Sequence, residues 1–288
     1  MIIKISNEGL AVKIDTLGGQ LNSIMKNGKE YLWQGDANIW NGQAPLLFPI
    51  VGGLENNTIN IRGKQCIMGN HGFLKEMELE VISQEDETLV LGATYTEDTL
   101  KCYPFKFKME ITYSVKEQVL DTSYIIYNLD DEEMVYNFGL HPAFHCNYGE
   151  EKFEDFYLEF PEEKTLETCI FNENIRTQLD NKKVVVEDSK YLPLHHDLFH
   201  RTIIITDIDF DKVWIGYKEK GRIIQLSYNG FDIFSLWQVV GAPYICLEPW
   251  DGMNGIVQNF ERMEDSPLAK FLPVGGSKKY HMSIDIIE

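Results

Sequence analysis

A period of two constrains this chain more than any other feature. Phe105, Phe107, Met109, Ile111, Tyr113 and Val115 occupy every second position, with Lys106, Lys108, Glu110, Thr112 and Ser114 between them. A helix would scatter these apolar groups around its circumference, whereas a strand places them all on one face. One buried and one wet face is the signature of antiparallel pairing. The same alternation begins at Ile3, Ile5, Leu10, Val12 and Ile14, and returns at Leu89 and Leu91 and at Leu120, Tyr124 and Ile126. Asn27-Gly28 after Leu21, Ile24 and Met25 is a hairpin signal, because both turn positions need positive φ. Further strands are expected at 203–205, 213–215, 223–226, 233–237, 245–247 and 280–287. Positions 150–201 read as more irregular and acidic, with insertion-like loops, and 259–265 as a solvated acidic loop. No linker, composition break or internal repeat divides the chain, so residues 1–288 read as one all-β, antiparallel domain.

An apolar content of 44%, including aromatic residues at 12%, supports a substantial core. The formal net charge of −19 argues against nucleic-acid binding, which needs a basic face. A phosphorylated substrate needs only one local Arg or Lys, so it is weakly disfavoured by the overall charge. The amino-terminal residues show no basic segment followed by an apolar run, and no apolar stretch approaches membrane-spanning length. The five cysteines, at 66, 102, 146, 169 and 246, show no C-x-x-C spacing. An odd number of thiols without a framework suits a reducing compartment, and a cytoplasmic location is expected.

Three short stretches carry the chemistry. In Tyr-Ile-Cys-Leu-Glu-Pro-Trp-Asp-Gly, 244–252, a buried strand delivers Glu248. Pro249 removes a ladder donor and biases the residue before it towards extended geometry, so the strand is expected to end with Glu248 at a sheet rim. Trp250 beside it offers an apolar face and one N–H. In 136–145 an apolar strand delivers His141, again just before a proline. In 68–75, His71 lies between glycines where backbone approaches closely, with Lys75 four residues on as a hydrogen-bond donor or a solvated charge. Each has a plain structural alternative: a paired strand-end Glu, a turn His, a solvated Lys. Competing motifs fail. Gly52-Gly53 belongs to no phosphate-loop pattern. His196 and His200 lack the glutamate and third ligand of a zinc site, and no metal is expected. Asp207, Asp209 and Asp211 begin like a calcium loop, but Lys212 stands where its glycine belongs and Lys218 where its bidentate Glu belongs. No nucleophile elbow or cofactor fingerprint is present, and no cofactor is expected. A His acid with a Glu base moves protons at neutral pH without one.

The ordered set His-Gly-Phe at 71–73, Gly-Leu-His-Pro-Ala-Phe at 139–144 and Leu-Glu-Pro-Trp at 247–250 resembles the aldose 1-epimerase, or galactose mutarotase-like, family. It is most similar to the branch that includes LacX-type proteins. The Phe-Pro-Ile-Val-Gly run at 48–52 and Leu-Pro-Val-Gly at 272–275 extend the resemblance nearly end to end. The resemblance implies a large single-domain antiparallel β-sandwich, a sugar as small-molecule partner and a cleft on one broad face. It implies Glu248 as general base at the C1 hydroxyl, His141 as general acid at the ring oxygen, and His71 as a hydrogen-bonding partner around C1. Mutual proximity is expected to favour the charged forms of His141 and Glu248. Trp237, Trp250 and Phe73 are sugar-face or core candidates. Two departures bear on substrate. Where relatives carry an Arg after the Phe-Pro run, this chain reads Gly53-Leu54-Glu55-Asn56-Asn57, leaving the Arg absent or supplied by Arg62. Where that branch often has Ala-Arg after His-Gly-Phe, this chain has Leu74-Lys75, and Lys lacks the two-pronged guanidinium. A free aldose is the first choice of substrate. A hexose 6-phosphate or a non-catalytic sugar-binding role is the alternative, and the sequence is compatible with a monomer or a homodimer.

Overall fold

The computed structural model describes residues 1–149, 151–257 and 262–288. Two antiparallel sheets form the body. The larger has nine strands, running in space from Thr177–Pro193 through Phe156–Phe171, Lys212–Tyr217, Gly221–Asn229, Ser277–Ile286, Val119–Asn128, Phe107–Lys116 and Thr88–Thr94 to Glu80–Gln84. The expected alternation is exact in Phe107–Lys116, where buried and half-buried residues succeed one another. The second sheet has six strands. Ile203–Ile205, Ile233–Trp237, Tyr244–Asp251, Phe138–Leu140 and Leu46–Leu47 lie in that order, and Ala143–His145 also pairs with Tyr244–Asp251. Smaller antiparallel pairings include the hairpin across Asn27 and Gly28, both at positive φ.

The sheets are joined by a layer of aromatic rings, one from each side. Tyr124 meets Phe138 at 5.5 Å between ring centroids, Phe107 meets Phe48 at 5.0 Å, and Tyr228 stacks on Phe234 at 5.4 Å. Such pairs add about 0.5–1.5 kcal/mol beyond their area burial. Ile245 and Leu247 of the six-stranded sheet point into this layer. Cys246, Glu248 and Trp250 alternate to the opposite face, which is therefore free to form a site.

Two expectations are overturned. The segment 150–201 holds two of the longest strands, Phe156–Phe171 and Thr177–Pro193, joined as a hairpin with register shifts. Glu150 and residues 258–261 lie outside the described residues, and Met263–Asp265 of the expected acidic loop forms a short 3₁₀ turn. Glu248 is not at a rim either. Its strand runs through Pro249 to Asp251 in the middle of the sheet. The neighbouring chain explains why the proline is tolerated. Leu247 N–H donates to Pro142 O at 3.1 Å, so by backbone alternation Pro249 also faces the edge where His141 and Pro142 interrupt that neighbour. No regular ladder bond is lost there.

Candidate active site

The face carrying Glu248 is the floor of a cavity of about 980 Å³. Cross-strand pairing sets Ser235 opposite Glu248 and Ile233 opposite Trp250. Gly139 pairs with Trp250, and a Cβ there would lie 2.6 Å from the indole. Just beyond Leu140 the chain leaves the ladder at His141 and Pro142, turning the His141 ring towards Glu248. His141 Nε2 lies 3.2 Å from Glu248 Oε2. Glu248 is 1% exposed, and its other carboxyl oxygen has no hydrogen-bond partner among the described residues.

His71 comes from a separate loop and reaches the same place. Its φ is +66°, and at Gly72, also positive, a Cβ would meet Phe48 O at 2.2 Å. Only glycine fits so close an approach. His71 N–H donates to Gly52 O at 3.0 Å, and Gly52 N–H donates to His71 Nδ1 at 3.1 Å. Nδ1 is thus an acceptor, which assigns the proton of the neutral ring to Nε2. The rings of His71 and His141 stand edge to face with centroids 5.7 Å apart.

Burial controls the protonation of all three groups. It pushes His141 down to about 3, with His71 adding to the effect. It pushes His71 down to about 4, helped by Lys75. It pushes Glu248 well above the usual carboxylate range. The Trp250 indole N–H pulls Glu248 the other way, but neither that N–H nor Glu248 Oε1 is within a hydrogen bond of any partner among the described residues. The expectation that proximity would favour the charged forms is therefore corrected, because desolvation outweighs the mutual attraction. Proton on Glu248 with neutral His141 carries the same net charge as the ion pair, and burial favours that arrangement.

The structure brings His71, His141, Glu248, Trp237 and Trp250 to one cavity, and Lys75 to its wall. The Lys75 ammonium is already occupied, by Gly72 O at 2.6 Å, Asn70 O at 3.0 Å and Glu76 at 3.2 Å. It staples its own loop. Phe73 does not line the cavity. It packs in the core against Phe107, Tyr103 and Phe48, with centroids 6.0–6.3 Å apart. Arg62 is also elsewhere, over the Phe105 ring and paired with Asp130 at 3.1 Å and Glu132 at 2.7 Å. It does not replace the missing Arg.

Other residues line the cavity that no motif announced. Trp40 packs 5.2 Å from His141 and 5.3 Å from Trp237, between centroids. Arg176, at the end of the long hairpin turn, lies 3.5 Å from Glu55, in the very segment where the Arg was expected. Asn254 follows the Glu248 strand and is 6% exposed. The signal for Arg176 was masked by the irregular reading of 150–201; Trp40 and Asn254 carried none.

His141, Cys246 and Glu248 present ligand atoms within 4.8 Å of one another, the one such trio among the described residues. Burial raises the Cys246 thiol well above its ordinary value, which opposes the thiolate that metal ligation needs. His196 is engaged elsewhere, stacked on Phe153 with 4.6 Å between centroids and bonded to Gln238 at 2.7 Å.

Comparison with known proteins identifies the family and the fold. The chain is 34% identical to the plasmid-borne protein LacX of Lactococcus lactis subsp. lactis, over 97% of each chain. Its fold matches that of a galactose mutarotase related enzyme from Lactobacillus acidophilus with a TM-score of 0.93, 26% identity, and coverage of 100% of this chain and 98% of that one. A galactose mutarotase-like protein from Lactobacillus casei matches with a TM-score of 0.90 at 24% identity, over 99% of this chain and 100% of that one. The sequence model of the aldose 1-epimerase family matches residues 1–212. The chain belongs to the aldose 1-epimerase family.

Proposed function

We propose that this protein is a cofactor-independent aldose 1-epimerase that interconverts the α and β anomers of a free aldose. The contact of 3.2 Å between His141 Nε2 and Glu248 Oε2, on the floor of an indole-walled cavity, carries this reading. In a cyclic sugar the C1 hydroxyl and the ring oxygen are bonded to the same carbon. An acid and a base that serve both must therefore be close neighbours, as these two are.

In the forward step Glu248, ionised, takes the proton from the C1 hydroxyl. The electron pair of that O–H bond becomes the carbonyl π bond, the bond from C1 to the ring oxygen breaks, and His141 gives its proton to that oxygen. The open-chain aldehyde results, with Glu248 protonated and His141 neutral. Rotation about C1–C2 presents the other carbonyl face. Closure reverses both transfers and yields the opposite anomer. Each positioned proton transfer contributes roughly 10²–10⁴-fold.

The direction of the protonation shifts has a mechanistic meaning under this reading. The arrangement that burial favours, proton on Glu248 and neutral His141, is the one the pair holds while the open-chain aldehyde is bound. Desolvation thus favours ring opening, while hydroxyls of the bound sugar, hydrogen-bonded to the carboxylate, favour the charged pair of the closed form. His71 stays neutral and donates from Nε2 to the oxygens around C1. Trp40, Trp237 and Trp250 supply apolar faces for the sugar ring.

The cations near the site favour a free sugar over a phosphorylated one. Lys75 is held by carbonyls and Glu76, Arg176 faces Glu55, and Arg62 is committed elsewhere. Anomer exchange followed by NMR, in dilute buffer with glucose, galactose and glucose 6-phosphate, tests the proposal. Exchange of a neutral hexose well above the buffer background is expected. No acceleration with any sugar from folded protein overturns the proposal, and a preference for glucose 6-phosphate overturns the choice of a free sugar.

A further inference from the structure

Ile175 stands at the tip of the long hairpin between Phe156–Phe171 and Thr177–Pro193, with φ at +58°. Among the described residues it is the one β-branched residue at positive φ. A branched Cβ crowds its own backbone there, so isoleucine is strained where glycine would be at ease. Strain of this kind persists only where the surroundings over-determine the backbone, and here they do. Asn172 Oδ1 accepts from the N–H groups of Asn174 at 3.0 Å and Arg176 at 2.8 Å. Ile175 N–H donates to Asn172 O at 3.0 Å. Thr177 N–H donates to Gly255 O at 2.9 Å, and Val257 N–H to Thr177 O at 2.9 Å. Those two bonds strap the tip to the chain that follows the Glu248 strand.

The fold gains little from an isoleucine at this position. Ile175 is 57% exposed, so core packing does not offset its strain. It lines the cavity that holds His141 and Glu248. Phe171, Ile204, Trp250 and Met253 line the same cavity. The last three belong to one buried apolar cluster, and Phe171 packs against it. Ile175 thus adds an exposed apolar group to a cavity wall that is already apolar in part. A pyranose carries C–H surface as well as hydroxyls, and covering Ile175 with that surface removes apolar area from water.

We infer that Ile175 is a sugar-contacting residue that sets affinity, held by the strained hairpin tip against the C–H surface of the bound aldose. The inference rests on the aldose 1-epimerase reading and adds to it a residue that moves no proton. Its contact is the same for the closed sugar and for the transition state, so it acts on KM and leaves kcat alone. The strain and the contact also pull in opposite directions, since glycine would relieve the first and lose the second.

Anomer exchange by NMR and urea unfolding of Ile175→Gly and Ile175→Ala test the inference, with the sugar that wild type exchanges fastest. Both variants should raise KM by about three- to tenfold, the effect of uncovering part of one aliphatic side chain, with kcat within about twofold of wild type. Ile175→Gly should unfold at a urea midpoint no lower than that of wild type or of Ile175→Ala, because it alone carries no Cβ. An unchanged KM in both variants overturns the sugar contact while the epimerase reading stands. A fall in kcat at constant KM also overturns it, because the residue would then act on the chemistry. A lower urea midpoint for Ile175→Gly than for Ile175→Ala overturns the strained tip. If wild type exchanges no sugar, the epimerase reading fails and this inference with it.

Discussion

Two glutamates on the two large sheets are almost equally covered, Glu248 at 1% and Glu159 at 4% exposed, yet their carboxyls are driven in opposite directions. Glu159 receives the Arg222 guanidinium through two bonds, at 2.9 and 2.7 Å, and Lys190 at 3.0 Å. Hydrogen bonding from Arg222 is the largest cause that holds it down, to about 2. Arg222 in turn lies 3.8 Å from the Trp214 ring. Glu248 has an imidazole at 3.2 Å in place of a guanidinium, and burial raises it well above the carboxylate range. Being covered therefore does not decide the protonation of a carboxyl. The partner does. Arg222 and Lys190 are 43% and 41% exposed, so they keep their hydration and their charge while shielding Glu159. His141 lies deep beside Glu248 and gives up its charge to the same burial. One carboxylate is held ionised by its cations, and the other is the one proposed to exchange a proton.

The largest effect expected from this contrast is on turnover. His141→Asn should lower the anomer exchange rate by roughly 10²–10⁴-fold, the usual worth of one positioned proton transfer. Arg222→Met, which strips the clamp from Glu159, should leave exchange within a few-fold of wild type. Equal losses in both variants would erase the distinction between the two sites.

Stability should separate the glutamates in the reverse order. Arg222→Met should destabilise the fold by about 1–2 kcal/mol in urea unfolding, the range for charge-assisted bonds reduced for the exposure of Arg222. Glu248→Gln should leave stability unchanged or raise it, because it replaces a desolvated, half-satisfied carboxyl with a neutral amide. A large loss of stability in Glu248→Gln would mean that this carboxyl also holds the fold together.

A smaller effect lies in the pH dependence of stability. The folded His71 resists protonation until about pH 4, whereas an unfolded His binds a proton below about 6.5. Between those values the unfolded chain binds more protons, so stability falls as pH falls, by on the order of 1 kcal/mol per pH unit. His145, lowered by burial, acts in the same direction. His141 and Glu248 nearly cancel in this window, since the folded pair holds one proton on Glu248 and the unfolded pair holds one on the His. Glu159 takes over lower down, its stabilisation present above about pH 4.5 and lost as pH falls towards 2. Asn tolerates positive φ, so His71→Asn should flatten the slope between about pH 6.5 and 4 in urea titrations. An unchanged slope would show that His71 is not the group that titrates.

Much of this was legible in the sequence, and what was not has physical reasons. Alternation exposes a strand when one face is buried and one wet, and Phe107–Lys116 is of that kind. Thr177–Pro193 extends with exposed residues on both faces, so its sequence lacks the period and reads as loop. The dipeptides at His141 and Glu248 marked the two residues proposed to exchange protons, but the local rule for the residue before a proline misplaced Glu248 at a rim. Only the spatial neighbour, broken at His141 and Pro142, lets the strand continue. Phe73 was drawn into the site as an aromatic residue of the His-Gly-Phe motif, and Arg62 as a substitute for the Arg missing after the Phe-Pro run. An aromatic ring packs in a core as readily as on a sugar, and a guanidinium pairs with whichever carboxylates lie near. Arg176 reaches the cavity through a long hairpin whose path no local pattern records.

The central claim is that Glu248 is the base of an acid–base pair rather than a buried structural carboxyl. Anomer exchange by NMR on Glu248→Gln, with the sugar that wild type exchanges fastest and in dilute buffer, tests it most directly. The account predicts turnover lost by roughly 10²–10⁴-fold, with the sugar still bound and the fold intact. Turnover retained in Glu248→Gln would contradict it.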